Sequence, residues 1–310
     1  MRIALVEALM ELAAGDPRVF LLTADLGFTV VERFAAQFPS RFLNVGVAEA
    51  NMVGIASGLA VSGFIPYAYS IATFASMRAY EQFRNGPILH HLPVRLIGIG
   101  GGYAYGHAGA THFALEDLGI GRIQPNLTVI APADPAQTRS AVFVAHHLPG
   151  SVYFRIGKGG NPIIPELGGR FALDRVEIIR EGRDILLLST GGITAEVVKA
   201  ARVLRRDGIN ACVAVAATLS PPPNQEIAAL LSTFQHVMTI EEHYVIGGLG
   251  SLVAEILAEA GASVRFARLG VKSAPDGIVG SHAYLLQQHG LAQDGIAKSA
   301  RALLRRERIS

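Results

Sequence analysis

The stretch Phe42-Leu-Asn-Val-Gly-Val-Ala-Glu49-Ala-Asn-Met-Val-Gly54 carries the pattern that decides the fold. Its apolar residues up to Val45 predict a short strand, and the residues from Glu49 onward predict a helix. Ligands of open α/β sheets bind at the carboxyl ends of the strands, so Glu49 stands where a crevice is expected. A carboxylate that is buried without a partner is costly, and the pattern therefore predicts a partner for it. The structural alternative is a helix-start glutamate that the helix dipole stabilises.

Strands and helices alternate on both sides of this stretch. Helical spacing between the apolar runs indicates that helices connect them, and such an alternation predicts parallel sheets covered on both faces. The Gly- and Pro-rich residues 157–169 are typical of a linker. We therefore predict an α/β fold of two doubly wound domains in series, residues 1–165 and 166–310. The other predicted strands lie at 19–24, 65–70, 94–99, 127–131 and 151–155, and then at 184–189, 211–216, 237–241 and 264–269.

Composition favours a protein with a large buried surface. Half of the 310 residues are hydrophobic and 17% are charged, against about 25% in typical domains. Excess apolar surface with few charges predicts an extensive subunit interface in addition to a core. The net charge is +2, and the basic residues form no tract apart from the tail 301–308, which we interpret as a solvated helix end, so nucleic-acid binding is not indicated. The single cysteine, Cys212, excludes an internal disulfide and a cysteine-based metal cluster.

One uncharged stretch, from Glu49 to Arg78, is long enough to cross a membrane. Several glycines and Pro66 divide it, which favours a buried helix followed by an interior strand. The chain begins directly with a helical pattern and shows no signal peptide. We therefore expect a cytoplasmic protein that does not insert into a membrane.

The motifs along the chain, in their order and spacing, resemble those of transketolases. The resemblance covers essentially the whole chain, and it is strongest to the separately encoded C-terminal subunits of split transketolases. Each motif alone is weak, whereas the full series is specific. The motifs are Thr23-Ala-Asp25-Leu-Gly, Asn44-Val-Gly-Val-Ala-Glu49, Thr73-Phe74, Arg78-Ala-Tyr80-Glu-Gln, Gly109-Ala-Thr-His112, Ala131-Pro-Ala-Asp134, Tyr153-Phe-Arg155, Glu241-Glu-His243 and Gly247-Gly-Leu-Gly250.

The resemblance implies a thiamine diphosphate enzyme that transfers a two-carbon ketol unit from a ketose to an aldose. Glu49 matches the catalytic glutamate that hydrogen-bonds N1′ of the cofactor's aminopyrimidine, and Phe74 matches the aromatic residue that stacks on that ring. Asp25 matches an aspartate near the cofactor at the subunit interface. Ile71 and Met77 stand where two further aromatic residues usually line the pocket, so the pocket stays apolar but loses ring area.

The resemblance implies three residues in substrate binding, and two more are candidates. His112 matches the catalytic histidine that contacts the donor near its reacting carbonyl, although a lone histidine is more often structural. Arg2 and Arg155 match arginines that bind the substrate phosphate, and arginine suits a planar anion contact. A surface ion pair is the alternative for each arginine. His107, together with Tyr105, is a candidate for replacement contacts.

Those replacements are needed because the chain departs from the family pattern. The family loop Gly-Glu-Asp-Gly-Pro-Thr-His is Gly106-His-Ala-Gly-Ala-Thr-His112 here, so the aspartate that reads a sugar hydroxyl is Ala108. A phosphate-contacting histidine aligns with Gly100, and the serine of the phosphate site falls near Gly27-Phe28. Loss of a hydrogen-bond partner changes substrate preference strongly. We expect the chemistry to be kept and the sugar specificity to be altered, toward an anionic, modified or unphosphorylated ketose.

A second departure concerns the metal. The family holds the cofactor diphosphate through Mg²⁺ on a Gly-Asp-Gly segment and an asparagine about 30 residues later, and Mg²⁺ needs such oxygen ligands. Asp276-Gly277 lacks the flanking residues and the context, so we predict no metal ligand in this chain. The resemblance thus implies an N-terminal partner subunit that holds the diphosphate and Mg²⁺, in an α2β2 heterotetramer.

Two other functions remain open at this point. One is the β-type subunit of another thiamine diphosphate enzyme, such as a 2-oxo acid dehydrogenase or a deoxyxylulose phosphate synthase. The other is a non-catalytic assembly subunit, which the retention of Glu49, Phe74 and His112 disfavours. Residues 241–243, Glu-Glu-His, suggest a metal cluster, but neighbouring residues of a strand point to opposite faces. We therefore expect the second domain to serve assembly.

Overall fold

Two sheets, each built mainly of parallel strands, organise the computed structural model, which describes residues 1–274 and 277–305. The predicted tail cations from 306 onward and Asp276 lie outside the described residues. The strands are β1 (Val19–Thr23), β2 (Phe42–Asn44), β3 (Ile65–Ile71), β4 (Arg95–Ile99), β5 (Leu127–Ile130), β6 (Ser151–Ile156), β7 (Glu177–Arg180), β8 (Ile185–Ser189), β9 (Ala211–Val215), β10 (Thr218–Ser220), β11 (His236–Tyr244) and β12 (Arg265–Val271).

The helices lie between these strands and after the last of them. They are α1 (Arg2–Gly15), α2 (Glu32–Gln37), α3 (Glu49–Val61), α4 (Tyr80–Phe83), α5 (Asp117–Arg122), α6 (Pro135–His146), α7 (Thr194–Arg206), α8 (Asn224–Thr233), α9 (Leu249–Glu259), α10 (His282–Gln288) and α11 (Gln293–Arg305).

The seven-stranded sheet has the order β10-β5-β6-β4-β3-β1-β2, and the five-stranded sheet has the order β12-β11-β8-β9-β7. All pairs are parallel except the two edge pairs, β10 with β5 and β7 with β9. The predicted fold class, two α/β units in series, is confirmed. The interior strands β3, β4, β6, β8 and β9 are buried along their whole length, as unbroken apolar runs require when both faces are covered.

The sequence spacing at residues 73–84 predicts an ordinary α-helix, and this prediction is wrong in its backbone form. The chain there makes a π-helical turn, Phe74–Arg78, then the short α4, and then a second π-helical turn, Arg84–Ile88. Pro87 lies inside the second turn, where it cannot donate a backbone hydrogen bond. Single π-helical turns are often found at functional sites.

Each half of the chain contributes residues to the core or the sheet of the other half. The predicted linker residues Ile164 and Leu167 are buried in the core that covers the second sheet, and the backbone N–H of Ile164 donates to Asp134 at 2.8 Å. In the other direction, β10 extends from the second half to the edge of the first sheet. The domain boundary at 165/166 stays a prediction.

The uncharged stretch forms α3 and the wholly buried β3. No helix in the described part of the chain is long and apolar enough to cross a membrane.

Candidate active site

Glu49 is the first residue of α3 and is completely buried. Its Oε1 accepts a hydrogen bond from the Ser70 hydroxyl at 2.9 Å, and its Oε2 accepts one from Nη1 of Arg78 at 2.7 Å. The turn into the helix passes through Gly46, whose φ of 75° is readily adopted only by glycine. The buried carboxylate therefore has the partners that its burial requires.

Arg78 joins this carboxylate to the aromatic residue. Its guanidinium carbon lies 4.3 Å from the ring centroid of Phe74, in a cation–π arrangement, and its side chain is 45% exposed. The sequence motif contained Arg78 but gave it no role. The signal that could have identified it is the need of Glu49 for a cation, combined with the i, i+4 spacing from Phe74.

His112 lies beside Phe74, on the loop that follows β4. The two ring centroids are 5.1 Å apart in an edge-to-face arrangement, and Nδ1 of His112 is 2.9 Å from the Thr111 hydroxyl. The ring of Tyr105 lies 6.2 Å from that of His112. His107 is exposed on the same loop. The structure thus brings Glu49, Phe74 and His112 together through Arg78 and ring contacts.

Asp25 marks the open rim of the site. It follows β1 with a φ of 56°, and its carboxylate accepts a hydrogen bond from the Asn44 side chain at 3.0 Å. The backbone N–H of Asp25 donates to Oδ1 of Asn44 at 2.9 Å. Ile71 is buried at the end of β3, whereas Met77 is 41% exposed. The roles of these three residues toward a cofactor stay predictions.

The two arginines expected at the substrate are placed differently. Arg2 begins α1 and is half-buried near Tyr105; burial raises the pKa of Tyr105, and the charge of Arg2 acts in the opposite direction. Arg155 is buried, and its Nη2 donates to the carbonyls of Ala114 and Glu242, each at 2.7 Å. Its Nε lies 3.2 Å from Asp117. Arg155 is therefore engaged between the two halves, and its predicted contact with substrate stays untested.

The side chains of Glu241, Glu242 and His243 have separate partners. Glu241 accepts from two backbone N–H groups at the start of α9, and burial raises its pKa to about 7. Oε1 of Glu242 accepts from the backbone N–H of Tyr103 at 2.6 Å and lies 2.8 Å from Nε2 of His282. Nε2 of His243 accepts from the backbone of α5. Among the described residues no group of three or more histidines, cysteines, aspartates or glutamates could hold a metal.

The arrangement fits one end of a heteroaromatic cofactor. A buried carboxylate with an adjacent ring face can bind and orient a nitrogen heterocycle, whereas the described residues offer no acidic cluster for a metal-bound diphosphate. The segments that carry the site residues, here called the apolar rim, expose large apolar side chains, and exposed apolar residues that cluster are typical of an interaction surface. They are Phe28 (69% exposed), Leu43 (40%), Val47 (71%) and Met77 (41%).

Comparison with known families accounts for both halves of the chain. Residues 1–162 match the family described as "Transketolase, pyrimidine binding domain", and residues 174–296 match "Transketolase, C-terminal domain".

Relatives match over the full length. The chain is 36% identical over 304 residues to a "Putative transketolase C-terminal section" of Methanocaldococcus jannaschii, covering 97% of this chain and 95% of that protein. It is 37% identical over 305 residues to a "6-deoxy-6-sulfo-D-fructose transketolase subunit" of a Clostridium species, covering 97% and 94%. Among solved structures, a "Split gene transketolase, inactive beta4 tetramer" superposes with a TM-score of 0.88 at 36% identity, covering 99% of each chain. The chain therefore belongs to the transketolase family, in which it carries the pyrimidine-binding and C-terminal domains.

Proposed function

We propose that this chain is the C-terminal subunit of a split, thiamine diphosphate-dependent transketolase. In this function it transfers a two-carbon ketol unit from a ketose donor to an aldose acceptor. The observation that carries the proposal is the fully buried Glu49, which lies with Phe74 and His112 at the open edge of a parallel sheet. Relatives that match over the full length bear the names of transketolase sections and subunits.

A second chain is required to complete the site. We propose that an N-terminal transketolase subunit holds the diphosphate and Mg²⁺, and that it covers the apolar rim in an α2β2 heterotetramer. The rim supports this because its exposed apolar side chains belong to the same segments as the predicted cofactor residues. The related split-gene protein solved as a β4 tetramer is described as inactive, which agrees with a β-type chain that needs another subunit. The buried, reduced Cys212 is compatible with a cytoplasmic location, which we also propose.

When bound, thiamine diphosphate supplies an electron sink for the carbanion that forms when the ketose carbon–carbon bond breaks. Glu49 would bind N1′ of the pyrimidine and hold a proton there, because its buried carboxylate is already positioned by Ser70. Because Nη1 of Arg78 already donates to Oε2, binding of the pyrimidine at that oxygen requires the guanidinium to shift away from it. Phe74 would pack on the ring, and His112 would contact the donor next to it.

The sugar specificity follows from the altered loop. Ala108 offers no hydrogen bond where the family aspartate reads a hydroxyl, and His107 is exposed on the same loop. We propose that the donor is a ketose with a modified or anionic end. The relative from Clostridium is named for a sulfonated fructose, which makes a sulfonated ketose a natural member of the first substrate panel.

The test is calorimetry with thiamine diphosphate and Mg²⁺ on three samples: this chain alone, the N-terminal subunit alone, and the two mixed. Binding only in the mixture supports a site shared between chains. Binding to this chain alone would contradict the requirement for a partner. If the mixture forms a complex by size-exclusion chromatography but binds no cofactor, the transketolase proposal fails and an assembly role replaces it.

A further inference from the structure

Gly100 makes room for an aromatic ring. It follows β4 with a φ of 79°, and a Cβ built on it would collide with the ring of Tyr105. A side chain at position 100 and the present place of Tyr105 therefore exclude each other. The tyrosine ring occupies the space into which any larger residue at position 100 would project.

Lys158 lies on the face of this ring. Its Nζ is 4.2 Å from the ring centroid of Tyr105, a distance at which an ammonium group and an aromatic face attract each other. Lys158 is exposed and follows β6, so it reaches the same edge of the sheet as the loop of His112. The ring centroids of Tyr105 and His112 are 6.2 Å apart, so the ring of Tyr105 connects Lys158 to the histidine that is predicted to contact the donor.

The charge at this end of the site is uncompensated. Neither Lys158 nor Arg2 forms an ion pair with any residue that the structure describes, and both lie around Tyr105. Arg155, by contrast, donates to two carbonyls and faces Asp117, so its charge is neutralised inside the protein. Two cations without counterions at the mouth of a site attract and orient an anionic ligand.

We propose that Lys158, carried on the ring of Tyr105 and assisted by Arg2, binds the tetrahedral anionic group at the far end of the substrate. This group is a phosphate or a sulfonate on the terminal carbon of the ketose. The inference rests on the proposed function and names the residue that determines its specificity. Tyr105 acts as a positioning residue because it fixes where the ammonium group stands.

The test compares three donors in the assembled complex: a ketose 6-phosphate, the corresponding 6-sulfonate, and the free ketose. Wild type, Lys158→Met, Lys158→Arg and the control Lys298→Met are assayed. Lys298 is an exposed lysine on α11, so its replacement removes the same charge elsewhere. For Lys158→Met we expect KM to rise about 10- to 100-fold for the phosphate and sulfonate donors. We expect kcat to change little, KM of the free ketose to stay constant, and Lys158→Arg to retain most of the affinity.

An equal change for charged and uncharged donors would overturn the inference, as would no change at all. If the wild-type complex transfers a ketol unit from none of the three donors, the proposed function fails separately. The inference is then decided by calorimetry with the 6-phosphate and the free sugar. The inference is supported if the wild type binds the 6-phosphate more tightly than the free sugar and this preference is lost in Lys158→Met but kept in Lys298→Met. Equal binding of the two sugars by the wild type overturns the inference.

Discussion

Glu49 and Arg78 are joined by a 2.7 Å ion pair in which the carboxylate is completely buried and the guanidinium is partly open to solvent. The same guanidinium covers a face of Phe74. One arginine thus contacts both residues that are predicted to hold the pyrimidine. The ion pair stabilises the buried carboxylate in the absence of cofactor. When the pyrimidine binds to Glu49, it has to replace part of the contact between Glu49 and Arg78.

Replacing Glu49 by Gln should remove catalysis and leave the fold intact. The amide can still accept from Ser70, but it cannot hold the acidic proton of a carboxyl group. Loss of acid–base function of this kind lowers turnover by about 10² to 10⁴-fold. Ketol transfer by the assembled complex measures the effect, and circular dichroism checks the fold. Glu81→Gln, an exposed site on α4, is the control. Unchanged turnover in Glu49→Gln would contradict the catalytic assignment.

Replacing Arg78 by Met should destabilise the isolated chain. Glu49 would then remain buried with Ser70 as its one side-chain partner among the described residues, and a buried charge that loses its counterion is costly. Because the arginine is 45% exposed, we expect a loss of about 1 to 3 kcal/mol in the free energy of unfolding rather than the full penalty of a deep pair. Urea denaturation measures it. Arg84→Met removes an exposed arginine on the neighbouring turn and should cost less than about 0.5 kcal/mol; equal losses would disprove the argument.

Replacing His112 by Gln should affect the substrate more than the cofactor. The ring touches Phe74 edge-on, but it makes no contact with Glu49 that the structure describes. We expect kcat/KM for the donor to fall about 10- to 100-fold, with thiamine diphosphate affinity within a factor of about three of wild type. Donor kinetics and cofactor calorimetry on the same preparation separate the two effects. A variant that loses cofactor affinity but keeps the donor KM would place His112 at the cofactor instead.

His282 and Glu242 predict a pH dependence of stability. The charge of Glu242 raises the pKa of His282; burial alone would raise the pKa of Glu242, but the charge and hydrogen bond of His282 lower it. The histidine contribution is therefore fully present below its ordinary pKa of about 6.5 and is lost as pH rises through its raised value. The glutamate contribution is present above its ordinary value and is lost as pH falls through its lowered one.

The difference in melting temperature between wild type and His282→Gln should accordingly be largest near pH 6 and shrink toward pH 9. His90→Gln, which removes an exposed histidine, should show no such trend. A melting-temperature difference that grows between pH 6 and pH 9 would mean that the neutral histidine, not the charged one, stabilises the contact of Glu242 with Tyr103, which joins the two halves of the chain.

The sequence predicted the interior of the fold better than its edges. The strands β3 and β6 are unbroken apolar runs, and such runs are recognisable because both faces are covered. The antiparallel edge strands β7 and β10 were missed because each is short and only partly buried or irregular in register. The turns around Phe74 were assigned as ordinary helix, since side-chain spacing does not report which carbonyl a backbone N–H reaches.

The sequence also predicted residue types at the site better than their partners. Glu49 and Phe74 could be named from motifs, and the need of the carboxylate for a partner followed from its burial, but the sequence did not identify that partner as Arg78. The substrate contact of Arg155 stays a prediction, but its hydrogen bonds to the carbonyls of Ala114 and Glu242 could not be predicted, because they form only where the second half packs onto the first. Lys158 gave no signal, because its position depends on the space that Gly100 leaves for Tyr105. Contacts between distant segments of this kind have no local pattern.

The contact between the two halves of the chain at Glu242 and Tyr103 depends on Gly102. Its φ is 66°, and a Cβ there would collide with the carboxyl group of Glu242, which enters the first half to accept from the next backbone N–H. Gly160 has nearly the same φ, 72°, and a Cβ there would meet no atom within 4 Å. In both alanine variants the left-handed backbone lowers the free energy of unfolding by about 1 to 2 kcal/mol. Gly102→Ala must also displace a buried, hydrogen-bonded carboxylate, which lowers it by about 1 to 3 kcal/mol more. In urea denaturation Gly102→Ala should therefore be clearly less stable than Gly160→Ala, and its melting temperature should lose the pH dependence that His282 confers. Equal stabilities of the two variants would show that the Glu242 side chain can move away without cost. The contact between the two halves would then depend on Arg155 instead.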